Sequence, residues 1–424
     1  MLQTLPDWLV YLEYLHPKTI ALGLERVEQV KRRLNLDQMF PIITVGGTNG
    51  KGSVCAMLES ILHAAGYRVG CYTSPHLLRY NERVRIDKKQ VSDVELCASF
   101  EKIEQVRGDT PLTYFEFGTL AAVQLFIEHK IDVAILEVGL GGRLDAVNVF
   151  DPDCAIVTSV DMDHMDYLGD TREKIAFEKA GIFRKDKMAI FGDRDMPENI
   201  TREAQRIGAE LWRLGREFDC DVSAQQWNYR SWVGTRNALP FAALRGAFQM
   251  NNASTALAAL DVLKEKLPVS MEAVRRGLVE VTLPGRFQIL PGSPQVILDV
   301  AHNPHAARAL AQNLAALPPC HHTYAVFAML KDKDMAGVAV ALADRIDTWL
   351  VAGLSGPRGA TAEQLVQAIH DSGVCGEVLA FDDVAAAMAY ACKAAGSNDR
   401  IAAFGSFYTV AEAMQARGLA DTGG

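Results

Sequence analysis

The strongest chemical signal in the chain is Val45-Gly46-Gly47-Thr48-Asn49-Gly50-Lys51-Gly52-Ser53. Glycines let a backbone fold tightly around phosphate oxygens. Backbone N–H groups and a following helix N-terminus add partial positive charge, and Lys51 adds a full one. The run departs from the usual G-x-x-x-x-G-K-[ST]: Val45 stands at the first glycine position, and Gly52 separates Lys51 from Ser53. The bland alternative is a bare glycine turn, and the strand–turn–helix setting favours nucleotide phosphate. Glu137, in Ile135-Leu136-Glu137-Val138-Gly139-Leu140-Gly141-Gly142-Arg143-Leu144-Asp145, sits where an apolar run ends. A carboxylate there suits Mg²⁺, a hard cation that prefers oxygen, unless it merely caps or ion-pairs. Asp161, Asp163, His164 and Asp166 crowd the end of another run and could bind a cation or form a solvated acidic loop. Asp299, His302 and Asn303 repeat the pattern before Pro304, with a helix cap or a satisfied core histidine as the alternative. Helical spacing alone makes Lys179 an exposed lysine in the last turn of a helix capped by Asp170 or Thr171.

These residues need strands to carry them. Short apolar runs alternate with helical patterns, the signature of parallel βα units. Strands are expected at 42–45, 133–136, 155–160 and 188–191. A helix is expected from Ser53 to about Ala65 and another at 252–267. The stretch from about Ala209 to Leu244, rich in Trp, Arg, Asp and Gln, reads as irregular strands and turns. Leu283-Pro284-Gly285-Arg286 interrupts local structure, so the domain boundary is placed there, giving domains 1–285 and 286–424. Beyond it the alternation restarts, with strands at 296–300, 324–328, 348–351 and 401–404 and helices near 304–317, 361–370 and 384–395. A second, smaller open α/β domain is expected.

Composition narrows the class. The chain has 424 residues, too many for one ordinary core, with 49% hydrophobic and 22% charged residues, a globular rather than disordered mix. Its longest uncharged apolar run, Met335 to Ala343, falls far short of the ~20 residues that cross a bilayer. No signal peptide is read at the N-terminus. A net charge of −9 argues against nucleic acid as the main partner. Eight cysteines without C-x-x-C spacing suggest buried thiols in a reducing cytoplasm rather than disulfides or structural zinc.

Taken together, Gly47 to Ser53, Thr73-Ser74-Pro75-His76-Leu77 with Asn81-Glu82-Arg83, Glu137 to Ala146, Asp163-His164, Glu178-Lys179-Ala180-Gly181 and Asp299 to Pro304 resemble folylpolyglutamate synthase/dihydrofolate synthase of the Mur ligase superfamily. The motifs run from about residue 20 to Tyr408. The resemblance implies an α/β fold: an N-terminal P-loop ATPase-like domain with a parallel-type sheet, and a smaller C-terminal Rossmann-like domain. It implies an ATP-dependent ligase that forms an acyl phosphate and joins it to L-glutamate. The substrates would be 7,8-dihydropteroate and tetrahydrofolates, and the enzyme a cytoplasmic monomer.

The resemblance also assigns residues. Asn49, Gly50, Lys51, Gly52 and Ser53 would hold ATP with Asn252, Arg286 and Asp299. Ser74, Glu137 and His164 would bind Mg²⁺, and Lys179, carboxylated by CO₂ in relatives, would bridge a second Mg²⁺. His302 and Ser406 would lie toward glutamate, and Lys51, Lys179 and His302 would serve catalysis. Ile20, Ala21, Leu22 and Gly23, Thr113, Tyr114, Phe115 and Glu116, and Leu144, Asp145 and Ala146 would bind the pterin. Because the ATP contacts are split, the 283–286 segment is expected to act as a hinge. Val300 stands where the family commonly has glycine. Competing readings are a monofunctional folylpolyglutamate synthase, a peptidoglycan Mur ligase, a P-loop NTPase switch and a Rossmann dehydrogenase. The peptidoglycan reading needs a uridine-nucleotide domain in the ~45 residues before the loop, too few for one. The switch would carry a guanine-specificity motif, and none is seen. The dehydrogenase lacks G-x-G-x-x-G spacing at Gly139–Gly142.

Overall fold

The computed structural model describes residues 3–18, 21–246 and 248–419. The chain divides into two compact units. The first comprises Met1–Ala243 and Gln249–Thr282; the second comprises Leu244–Phe248 and Leu283–Gly424.

The first unit is built on an eight-stranded sheet. Its strands are β1 (Ile42–Gly46), β2 (Val69–Tyr72), β3 (Val84–Ile86), β4 (Lys89–Gln90), β5 (Val133–Glu137), β6 (Cys154–Val157), β7 (Met188–Phe191) and β8 (Glu210–Arg213). They run in the order β4-β3-β2-β5-β1-β6-β7-β8. Pairing is parallel from β2 to β8, and β3 and β4 add an antiparallel edge. Every residue of β1 and β5 is buried, as expected of central parallel strands covered on both faces. That covering explains why these strands read as unbroken apolar runs.

Helices are started by the residues next to them. Thr4, Ser92 and Thr113 each form a capping box with an acidic residue three positions on. Thr171, rather than Asp170, caps the helix Arg172–Lys179. The helix Tyr114–Glu128 buries Phe117, Leu120 and Phe126 in a core shared with Trp8, Tyr72 and Phe100. The expected irregular stretch after Ala209 is ordered. It supplies β8, then β9 (Phe218–Val222), β10 (Trp227–Ser231) and β11 (Gly234–Leu239), a separate antiparallel sheet. Tyr229 Oη donates to Asp261, which also accepts from Ser231 and pairs with Arg236, and this fixes the small sheet to the helix Gln249–Val262.

The second unit has a six-stranded sheet. Its strands are β12 (Gln288–Leu290), β13 (Gln295–Asp299), β14 (Thr323–Phe327), β15 (Thr348–Ala352), β16 (Glu377–Phe381) and β17 (Arg400–Phe404), in the order β12-β13-β17-β14-β15-β16. Only β12 is antiparallel. Phe327, Trp349 and Phe404 form its aromatic centre. Both sheets thus have the mixed, mainly parallel α/β form expected from the sequence.

Candidate functional site

In the first sheet β5, β1 and β6 are neighbours, so the loops leaving their carboxyl ends are adjacent. The β1 loop is tied to the β6 loop at several points. The Thr48 amide donates to Ser159 O at 2.8 Å, and the Asn49 amide donates to Ser159 Oγ at 3.1 Å. Thr158 Oγ1 donates to Asn49 O at 2.6 Å. Gly47 has φ +139°, and a Cβ there would lie 1.9 Å from Thr158 Oγ1. Gly50 has φ +88°, and a Cβ there would lie 2.6 Å from Asn252 Oδ1. The glycines are therefore demanded by close approach as well as by conformation. Lys51 opens the helix Lys51–Ala64, and its Nζ donates to Gly47 O at 3.0 Å and Thr48 O at 3.2 Å. Asn252 reaches the loop from the helix Gln249–Val262, where its amide donates to Gln249, which in turn donates to Ser53 Oγ. Thr158 was not anticipated; a threonine directly after a buried strand gave no signal of its own.

Glu137 is the last residue of β5 and is buried. The Ser74 amide donates to its Oε2 at 3.1 Å. The Ser74 loop is itself held by Glu82, which accepts from the amides of Leu77, Leu78 and Arg79 at 2.7 to 2.8 Å. Arg85 adds bonds to Thr73 Oγ1 and Glu82 O while pairing with buried Glu59 at 2.8 Å. His76 accepts from Arg83 Nε through Nδ1 at 2.9 Å; burial and that neighbouring charge hold its pKa down to about 4.

Lys179 overturns the expectation of an exposed lysine: it is only 4% exposed. The reason is tertiary. The Arg143 amide donates to Glu178 O, and a Cβ on Gly142 would lie 2.9 Å from Lys179 O, so the Gly141–Arg143 turn lies directly on the helix end. Burial, then repulsion by Lys51, lowers its pKa to about 7, against opposing pulls from Asp163 and Asp145. Asp145 is pushed the other way, up to about 7, by burial. Backbone amides of Leu140 and Val147 and the Lys51 charge offset part of that rise. His164 takes a left-handed φ of +50°, and its amide donates to Asp163. The acidic run 161–166 does not close into a metal cage. Among the described residues no three His, Cys, Asp or Glu side chains group to hold a cation.

Arg26 joins two of the three segments expected at the pterin, and a backbone bond brings in the third. Its Nη2 donates to Ala21 O at 2.7 Å and to Glu116 Oε1 at 2.9 Å, and the Gly23 amide donates to Leu144 O at 3.5 Å. Glu116 is buried and also accepts from the Thr113 amide, so its carboxylate serves cap and ion pair. Arg26 was missed because a basic residue in a polar helix carries no local signal. Phe115 stacks against Tyr72 and lies under Gly139, Leu144 is exposed, and Ala146 is buried. Ile20 lies outside the described residues.

In the second unit Asp299 ends β13. Its carboxylate accepts from the Phe287 amide and the Ala301 amide, both at 2.8 Å. Burial raises its pKa, opposed by Arg286. His302 Nδ1 lies 2.8 Å from Val300 O, and its ring stands 6.3 Å from Phe407, over which the Arg286 guanidinium also stacks at 4.9 Å. Val300 is buried and does not need a positive φ, so valine fits where glycine is common. Ser406 caps the helix Phe407–Ala416: its Oγ accepts from the Thr409 amide at 2.9 Å.

Comparison with known proteins agrees with this arrangement. Residues 45–260 match the Mur ligase middle domain, and residues 285–407 match the Mur ligase glutamate ligase domain. The chain is 49% identical to the dihydrofolate synthase/folylpolyglutamate synthase of Escherichia coli K12 over 99% of its own length and 97% of that protein's. It superposes on E. coli FolC in complex with DHPP and ADP with a TM-score of 0.93, at 49% identity and 98% coverage of both chains. A bifunctional folylpolyglutamate synthase/dihydrofolate synthase with Mn, AMPPNP and L-glutamate bound gives a TM-score of 0.91 at 48% identity, again with 98% of both chains covered. With its phosphate loop, its strand-end carboxylate and both of its units matched, this chain belongs to the dihydrofolate synthase/folylpolyglutamate synthase family of Mur ligases.

Proposed function

We propose that the protein is an ATP-dependent ligase that adds L-glutamate to 7,8-dihydropteroate and to tetrahydrofolates. The γ-phosphoryl group of ATP passes to the substrate carboxylate, giving an acyl phosphate and ADP. The glutamate amine then attacks the acyl carbon, an amide forms, and phosphate leaves. The observation that carries the reading is the closed phosphate loop, with Lys51 at a helix start and Asn252 and Thr158 against its glycines. Asn49, Gly50, Gly52 and Ser53 line that loop. Arg286 and Asp299 would contact ATP, and His302 and Ser406 would serve glutamate.

The donor set fits a divalent cation of the Mg²⁺ kind. Such an ion is usually held by one or two carboxylates and completes its shell with waters and substrate phosphates, so it does not require a three-residue cage, and none is found among the described residues. Glu137, Ser74 and His164 would hold it, and it would neutralise phosphate charge. Lys179 is suited to carboxylation. A buried amine titrating near 7 is largely neutral just above that pH, and only a neutral amine adds to CO₂, releasing one proton as the carbamate forms. The carbamate would supply an oxygen donor to a second Mg²⁺. Ala21 to Gly23, Thr113 to Phe115 and Leu144 to Ala146 form the pterin side, with Glu116 as support.

We read the enzyme as a cytoplasmic monomer. No helix among the described residues is long and apolar enough to cross a membrane. Purified protein assayed side by side with dihydropteroate and tetrahydrofolate should form product with both, dependent on ATP, Mg²⁺ and glutamate. Product from tetrahydrofolate alone would make it monofunctional. ATP hydrolysis indifferent to pterin and glutamate would replace the ligase with a nucleotide switch. Sedimentation at working concentration tests the monomer.

A further inference from the structure

Arg83 belongs to a motif to which no role has been attached, and its setting is that of a prepared anion receptor. It is partly buried. Its guanidinium lies over the Tyr80 ring at 5.3 Å and the Tyr114 ring at 5.4 Å, and those rings meet edge to face at 5.7 Å. Tyr80 is wedged against the helix Tyr114–Glu128 so closely that a Cβ on Gly118 would lie 2.4 Å from its hydroxyl. The shelf is therefore rigid. Arg83 Nε donates to His76 Nδ1, and among the described residues neither terminal nitrogen donates to any protein acceptor. The backbone fixes the residue as well, since the Thr73 amide donates to Arg83 O at 2.9 Å. The next residue, Ser74, donates to Glu137. A stacked guanidinium with two free parallel donors matches the geometry of a carboxylate.

We propose that Arg83 is a substrate-binding residue that holds a carboxylate of the pterin acid beside the Ser74–Glu137 corner. The inference rests on the ligase reading for the identity of that acid. A phosphate is the other oxyanion a guanidinium takes. The loop at Gly47–Ser53 already provides for phosphate, whereas the flat aromatic shelf under Arg83, continued by Tyr114 and Phe115, suits an aromatic acid.

The test compares binding of two probes by calorimetry to the full-length protein: dihydropteroate, and the same molecule with hydrogen in place of its carboxylate. Wild type should favour the acid. Arg83→Gln should weaken dihydropteroate by about 10- to 100-fold while leaving the carboxylate-free analogue and ADP unchanged, and Arg83→Lys should recover part of the loss. Equal weakening of both probes, no weakening, or a selective loss of ADP affinity would overturn the proposal. If Arg83→Gln fails to fold, Arg83→Lys carries the same comparison, with a smaller selective loss expected. Because binding needs no turnover, failure of the wild type to form glutamylated product, with this discrimination intact, would remove the ligase reading and leave the role of Arg83 standing.

Discussion

At the carboxyl ends of β5, β1 and β6, buried Lys179 and Asp145 feel the charge of half-buried Lys51, and the ionisation of Lys179 and Asp145 is displaced toward neutrality. At the ends of β13 and β17 in the second unit, comparable residues are engaged with backbone. Asp299 receives two amides, and Ser406 caps a helix. The topology is alike, and the energetic use of the strand ends differs. The first edge holds charge in tension, which raises the cost of folding and favours a ligand that completes it. At the second, burial raises the Asp299 pKa as well, but the charge opposing that rise is the guanidinium of Arg286 rather than a lysine itself displaced toward neutrality.

Lys51→Ala should have the largest effect on that contrast, lowering kcat by about 10²–10³ or more. A near-wild-type rate would end the assignment of the phosphate loop. Lys179→Met comes next. Turnover should fall strongly, and Lys179→Ala should be partly rescued by a small added carboxylate. The metal-free, CO₂-depleted Met variant should nevertheless melt higher than wild type near neutral pH. Folded Lys179 titrates near 7 and an unfolded lysine near 10.5, so between those values the unfolded chain binds the extra proton and wild-type stability rises with pH. The Met variant should lack that slope, and its advantage should vanish as pH approaches 10.5. An unchanged melting curve would show that the lysine is not under tension.

Asp299→Asn sharpens the second half of the comparison. One of the two amides would face an NH₂ group, costing about 1–3 kcal/mol in denaturant unfolding. Ser406→Ala should be the smallest, about 1 kcal/mol from a lost cap, with little change in the KM for glutamate. A large, selective glutamate KM effect would instead make Ser406 a ligand contact.

Much of the fold was legible. Central strands are buried on both faces, so their apolar runs stand out, and β1, β5 and β7 lie where the pattern puts them. β2 was missed because Gly70 interrupts a short run, and β16 because an edge strand with exposed positions does not read as apolar. The stretch holding β9–β11 reads as irregular strands and turns, but their pairing into one sheet was hidden by polar residues whose partners, such as Asp261, lie far along the chain. The loop glycines and Glu137 announced themselves by local context. The burial of Lys179 did not, because it depends on the Gly141–Arg143 turn more than thirty residues earlier. Arg26 and Thr158 were silent for the same reason.

The bond from Gln249 to Ser53 spans 196 residues, and Asn252 stands on the same distant helix. During synthesis the glycine turn leaves the ribosome long before the asparagine that closes it. A nascent chain ending before that helix has the letters of the nucleotide cradle without its wall. Competence to hold ATP therefore arrives late, when the first unit's last segment docks, and fragments cut short of residue 262 should emerge unable to bind it.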